Sequence, residues 1–333
     1  MQAGCETWTK DNKVLAIFMR GEIVYECARQ AGAIAIAAGE GGTAPMYVRF
    51  PNLFAPSGIR LERLGAATVK AMVRAGWHKP EAPRWPHGKI GLITWDNADY
   101  RYGMKNGYLA ALHGVGLKET DVRYVAVPQD ANSIGDANAA ISSAVLSFQS
   151  RNIDHVFIQD GPAGIFGGIG LTTLFLNNAQ SQRYFPRYGF NVNNGPGNAN
   201  YPADQQVGML AVDSSDVEPA DDAGIPLNAA RERCFALMTK RGLRVGGANT
   251  RELAARACEL AWFIEETLKR TRGGTTLPYL IAGAESIGTA LKSPFVYGTR
   301  ITRGQHDGAA LFRNSFYDTA CKCMKFSSKP YEP

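Results

Sequence analysis

The sequence has no apolar run approaching the roughly 20 residues of a membrane-spanning helix. Its first stretch, MQAGCETWTKDNK, lacks the apolar centre of a signal peptide. None of its six cysteines forms a C-x-x-C pair, which removes zinc-ribbon and thioredoxin-like readings. The five histidines, His78, His87, His113, His155 and His306, never share H-x-H or H-x-x-x-H spacing, so no metal site is expected. There is no G-x-S-x-G elbow to seat a serine nucleophile. Net charge is +6, yet no Lys/Arg block is interleaved with aromatics, which argues against nucleic acid and for a solvated basic surface.

What is present is an ordinary globular composition, 45% apolar and 20% charged. At 333 residues the chain is long enough for two lobes. The cysteines allow 15 pairings, and sequence alone does not choose among them. A local scheme is expected: Cys5–Cys27, Cys234–Cys258, and Cys321 near Cys323. Oxidised cysteines would place the protein outside the cytoplasm; small buried thiols are the alternative.

Strand-like and helix-like segments alternate. VLAIFM (14–19) precedes a helical stretch near 22–31, followed by AIAIAA (33–38) and an extended YVRF (47–50). A helix is expected from about Gly58 to Ala75, then a connector, WHKPEAPRWPHG (77–88), with three prolines. A second series follows: KIGLITW, a helix near 103–113, VRYVAVP, a helix near 136–150, HVFIQD, a helix near 164–179, RYGF and VGMLAV. Asp136 is a candidate N-cap, with Ala137, Ala140, Ile141, Ala144, Val145 and Phe148 as the apolar stripe. In the later helix near 250–272, Asn249 and Glu252 have capping-box spacing, and Leu253, Ala257, Leu260, Ala261, Ile264 and Leu268 make one apolar face. Repeated strand–helix–strand units imply parallel sheets and two α/β lobes, with a cleft at the strand C-termini.

The enzyme-like strings have weaker grounds than their plain readings. Gly39-Glu-Gly41-x-x-Ala44 matches a relaxed dinucleotide fingerprint, which requires a helix to open at once. Here an extended MYVRF is expected instead, and a flexible cleft loop accounts for the glycines. Tyr100 and Tyr102 stand five and three residues from Lys105, so neither pair has one-turn spacing. GPAGIFGGIG (161–170) fits a helix packed closely on its sheet. No catalytic constellation is assembled, which favours binding over turnover; no cofactor is expected.

The order of KIGLITWDNADYRYG, SAVLSFQSRNIDHVFIQDGPAG, RYFPRYGFNV and VGMLAV, with the helix near 250–272 and GTRITRGQHDG, resembles the type I periplasmic-binding-protein family. Within it, the likeness is to branched-chain amino acid and amide binding proteins of ABC importers, over almost the whole chain. That resemblance implies two Rossmann-like lobes joined by hinge crossovers, with the ligand between them. It implies a first lobe of residues 1–86 plus 214–291 and a second of 87–213 plus 292–333. Relative to the family, the first lobe lacks a strand–helix–strand before VLAIFM. An abbreviated lobe would expose sheet edge and apolar surface and favour self-association.

The implied function is a non-enzymatic, extracytoplasmic solute-binding protein. It would close on a small polar or carboxylate-bearing ligand, amino acid-like or amide-like, and present it to ABC transporter membrane subunits. From the first lobe the expected ligand residues are Arg20, Gly21, Glu40, Gly41 and Thr43; from the second, Trp95, Asp96, Tyr100, Asp160, Gly161, Asn191 and Asn193. Arg20 would bind a carboxylate bidentately. YGFNVNNGPG carries asparagines where such binders place a carboxylate for the ligand ammonium, leaving Asp160 as the expected charge. Trp95 and Tyr100 would cover apolar parts of the ligand, or pack beneath the loop. A sensory domain of the same fold is the alternative function, and a nucleotide-dependent oxidoreductase a third.

Overall fold

The computed structural model describes residues 4–5, 7–8, 12–18, 21–37, 41–161, 170–214, 228–246 and 248–333. Two sheets organise them. The first holds β1 (Ala16–Phe18), β2 (Ile34–Ile36) and β3 (Leu53–Phe54), all parallel in the order β1-β2-β3. Between these strands run α1 (Glu22–Gln30) and α2 (Ala44–Arg49).

After β3 the chain enters α3 (Leu61–Arg74) and the second sheet. Its strands are β4 (Ile90–Asp96), β5 (Glu119–Ala126), β6 (His155–Gln159), β7 (Arg187–Asn191) and β8 (Leu210–Asp213), with β9 (Arg313–Asp318) and β10 (Cys323–Phe326) added from the C-terminal segment. The order is β10-β9-β8-β7-β6-β4-β5. Pairing from β8 to β5 is parallel; β9 and β10 join antiparallel. Helix α4 (Ala98–Gly103) continues through a π-helical turn at Met104–Leu109 into α5 (Ala110–Gly114). α6 (Ser133–Ser150) and α7 (Leu171–Ser181) cover one face, and the short α8 (Ala203–Gln206) precedes β8. α9 (Ala229–Lys240) packs on α10 (Ala248–Leu268), and α10 and α11 (Leu277–Glu285) return to the first sheet.

The cores follow from strands buried on both faces. On one side of the second sheet, Ile93, Trp95, Val156 and Ile158 meet Ile141, Val145 and Phe148 of α6 and Phe175 of α7. On the other, Leu92, Phe157 and Val212 meet Leu64, Val69 and Met72 of α3 and Trp77. Helix α3 and Trp77 therefore pack on the second sheet, although the expected division assigned residues up to 86 to the first lobe. Val24, Tyr25 and Ala28 of α1 cover one face of the first sheet, while Phe263, Leu280 and Ala284 cover the other.

Several local expectations are corrected. YVRF is not extended: Tyr47, Val48 and Arg49 lie in α2, which Pro45 begins well because its missing N–H costs nothing in a first turn. α6 starts one turn before Asp136. Asp130 Oδ1 accepts the Ser133 N–H at 2.8 Å, and Ser133 Oγ accepts from Asp130 N at 3.0 Å. Asp136 sits inside that first turn, and Ala140 of the expected stripe is exposed. α10 already includes Ala248, so Asn249 is within the helix rather than ahead of it. Its buried face is Ala255, Cys258, Glu259, Phe263 and Thr267, leaving Leu253, Ala257, Ala261 and Leu268 exposed. The expected start of α7 near 164 lies outside the described residues.

The three expected disulfides are formed: Cys5–Cys27, Cys234–Cys258 and Cys321–Cys323. The second fastens α9 to α10. Among the described residues no helix is long and apolar enough to cross a membrane, and no group of three His, Cys, Asp or Glu could hold a metal ion.

Candidate functional site

The two sheets are joined where the segment after β3 runs beside the segment before β9. Ala55 donates to His306 O at 2.9 Å and accepts from Gly308 N at 2.8 Å. The Asp307 carboxylate, wholly buried, accepts the Arg60 N–H at 3.0 Å and pairs with the side chains of Arg60 and Arg63. These contacts tie the two segments together.

Beside this junction a cleft of about 150 Å³ opens at the C-terminal ends of the strands, the edge that open α/β sheets use for ligands. Gly41, Gly42 and Met46 line it on one side, and Leu61, Asn97, Asp99, Tyr100 and Asn193 on the other. Gly41 lies against the backbone of Ile59, where a Cβ would overlap Ile59 C and O. Leu61 N donates to Gly42 O at 2.9 Å, fixing the loop against α3. Across the mouth, Thr43 Oγ1 donates to Asp99 Oδ1 at 2.6 Å. Asn97 caps α4 by accepting the Tyr100 N–H at 2.9 Å, which turns the Asp99–Tyr100 pair toward the opening.

A second row of polar residues lies beneath this lining. Asp160 is 4% exposed and takes the N–H of Gly161 and of Thr172, the Thr172 hydroxyl (each at 2.8 Å) and the Trp95 indole at 3.3 Å. Burial nonetheless pushes its carboxyl above the usual range. Asn191 donates to Tyr108 Oη at 2.7 Å and Thr68 Oγ1 at 3.2 Å, and accepts from Asn193 N. Asn194 donates to Ile158 O and Thr172 Oγ1. Asn193 links the rows, donating to Asp160 O at 3.3 Å.

Of the residues expected from sequence, Gly41, Tyr100 and Asn193 line the cleft, and Thr43 bridges it. Gly161 is buried behind the Tyr100 hydroxyl, which occupies the space a side chain there would need. Trp95, Asp160 and Asn191 lie beneath the lining: each is buried and its polar atoms face other protein groups. The Asp160 oxygens accept from Gly161 and from Thr172 at the start of α7. Asp96 pairs with Arg101 beside the cleft. Gly21 is exposed at the start of α1, outside the lining. Arg20 and Glu40 lie outside the described residues.

Sequence reasoning missed Gly42, Met46, Leu61, Asn97 and Asp99. The N-cap spacing Asn97-x-x-Tyr100 was the available signal, since it fixes which side of the turn faces the opening. The helix after GEGGTA, which the dinucleotide reading required, is present as α2. Its Ala44 N–H, however, is occupied by Glu62 Oε1 at 3.1 Å, and Asp99 stands nearby. A pyrophosphate there would meet carboxylates, not free N–H groups.

Two α/β units meet beside a cleft at the strand C-termini. Specifically, the chain has the type I periplasmic-binding-protein fold, as comparison with solved structures shows. A branched-chain amino acid ABC transporter protein of Thermus thermophilus with bound valine is 14% identical, with a TM-score of 0.66 over 100% of this chain and 82% of that one. A solute-binding protein of Rhodopseudomonas palustris BisB5, in complex with 3,4-dihydroxybenzoic acid, is 15% identical, with a TM-score of 0.67 over 99% and 82%. A leucine-binding protein of Thermotoga maritima is 13% identical, with a TM-score of 0.61 over 100% and 84%. No protein-family model and no curated relative matches the sequence.

Proposed function

We propose that this chain is an extracytoplasmic solute-binding protein that captures a small polar ligand between its lobes and delivers it to an ABC importer. The cleft carries this reading: residues of both lobes line one opening at the strand C-termini, with a hinge behind it. A ligand touching both sides binds the closed form better and shifts the population toward it. Structural neighbours bound to valine, leucine and benzoates supply the class of solute, small and carboxylate-bearing. Among the described residues the lining offers hydrogen-bonding side chains and glycine backbone but no nucleophile–base pair, which suits capture rather than turnover. Three disulfides support a site of action outside the reducing cytoplasm.

In this reading α3, which packs on the second sheet, belongs to the second lobe. Phe18 and Leu15 are exposed beside the outer edge of β1, unpaired among the described residues; self-association would proceed there.

A thermal-shift screen of amino acids, amides, short carboxylates and nicotinamide nucleotides tests the proposal. One amino acid, amide or acid should raise Tm by several degrees, as selective binding to the native state requires. A response to a nicotinamide nucleotide alone would refute it.

A further inference from the structure

We propose a second small-molecule site, for an organic monoanion with an apolar body, in a cavity separate from the cleft. The cavity has a volume of about 440 Å³, within the range of ligand pockets, and shares no lining residue with the cleft. Three stretches wall it: the start of α9, residues 289–300 after α11, and residues 310–311 before β9, with the exposed Glu332 beside them. The stretches are fastened to one another. Ala310 N donates to Gly298 O at 3.0 Å, Arg300 N to Gly308 O at 2.7 Å, and Asn228 Nδ2 to Ser293 O at 2.8 Å. A cavity whose walls are tied in this way keeps its shape without a ligand, which lowers the cost of binding.

The lining surface is mostly apolar, with Leu291, Val296, Tyr297 and Leu311 contributing to it. Three of its neutral polar side chains are spent inside the protein. Thr299 Oγ1 donates to Leu291 O at 2.6 Å, the Ser293 hydroxyl donates to the buried Glu259, and Asn228 Oδ1 accepts the Arg231 N–H at 2.9 Å. What remains to select a ligand is charge. Lys292, Arg300 and Glu332 are the charged residues of the lining, two cations against one acid. Arg300 pairs with Glu332, whereas Lys292 Nζ donates to Thr289 O at 3.3 Å and pairs with no acid among the described residues. A carboxylate would gain the Lys292 ammonium as a charged partner, and an ammonium would meet the surplus positive charge. The apolar walls suit an alkyl or aryl body. The ligand class is therefore an aliphatic or aromatic monocarboxylate.

Isothermal titration of the purified chain with octanoate, and with octylamine as its cationic counterpart, tests the site. The variants are Lys292→Gln, which removes the charge at an exposed position, Ala230→Phe, which fills the cavity from α9, and Asn193→Ala, which alters the cleft instead. Octanoate should bind the parent and the Asn193→Ala protein alike, with Kd below about 1 mM, and octylamine should bind weaker by about tenfold or more. Lys292→Gln should weaken octanoate about tenfold, and Ala230→Phe at least as much. No octanoate binding, octylamine binding as tightly as octanoate, or an unchanged octanoate affinity in Lys292→Gln overturns the proposal. Octanoate binding that is lost in Asn193→Ala puts the acid in the cleft; that result also overturns the second site and leaves solute capture standing.

Discussion

The backbone N–H of Arg60 donates to Asp307 Oδ2 at 3.0 Å, while its Nε lies 3.1 Å from Oδ1 of the same carboxylate. Residues 247 apart in sequence thus share one buried acid at the point where the lobes meet. Arg63 completes the cluster, donating from Nη2 to Ala309 O at 3.1 Å. Removing the acid strands two arginines in a partly dry hinge. Asp307→Ala should therefore lower stability by about 3–5 kcal/mol, read as a fall in urea midpoint. An Asp307→Ala protein as stable as the parent would show that the cluster does not hold the hinge.

Lining and supporting residues should separate in mutants. Asn193→Ala is expected to weaken ligand binding about tenfold with little change in Tm, because Asn193 faces the opening. Asn191→Ala strands Tyr108 and Thr68 beneath it and should lower stability by about 1–3 kcal/mol. Paired Tm and affinity measurements check both.

That separation also marks what the sequence could reveal. The alternation of KIGLITW, HVFIQD and VGMLAV shows a parallel sheet, and β4, β6 and β8 form there, because strands buried on both faces read as continuous apolar runs. The position of the cleft follows from the strand ends. Which polar residue faces it does not. Asp160 and Asp99 both follow buried strands, yet one turns inward to cap α7 and the other outward at α4. That choice depends on the helix that starts next to each, a tertiary matter. The α10 stripe fails for a similar reason: Cys258 must face Cys234, and this rotates Leu253 and Leu268 to the surface.

Burial raises the Glu259 carboxyl above its usual range, although Ser293 and Ser57 donate to it. A carboxyl raised on folding favours the protonated native state, so its contribution is greatest at low pH and declines as pH rises through the raised value. Glu259→Gln should match the parent near pH 4 and gain in Tm relative to it by pH 8. An equal difference at both pH values would contradict the assignment.

The disulfides should differ in worth with the loop they close. Cys234 and Cys258 are 24 residues apart, and their joint replacement by serine should cost about 3 kcal/mol. Cys321 and Cys323 are two apart and should cost about half as much. Urea titrations of the two double-serine variants give the comparison.

Native mass spectrometry of the purified chain, with a mixture of small amino acids, amides and carboxylates at tens of micromolar and a nicotinamide nucleotide as competitor, addresses capture most directly. The account predicts a single adduct with the mass of one amino acid, amide or acid, lost on mild denaturation. An adduct of nucleotide mass, or the bare chain mass at every concentration, would contradict it.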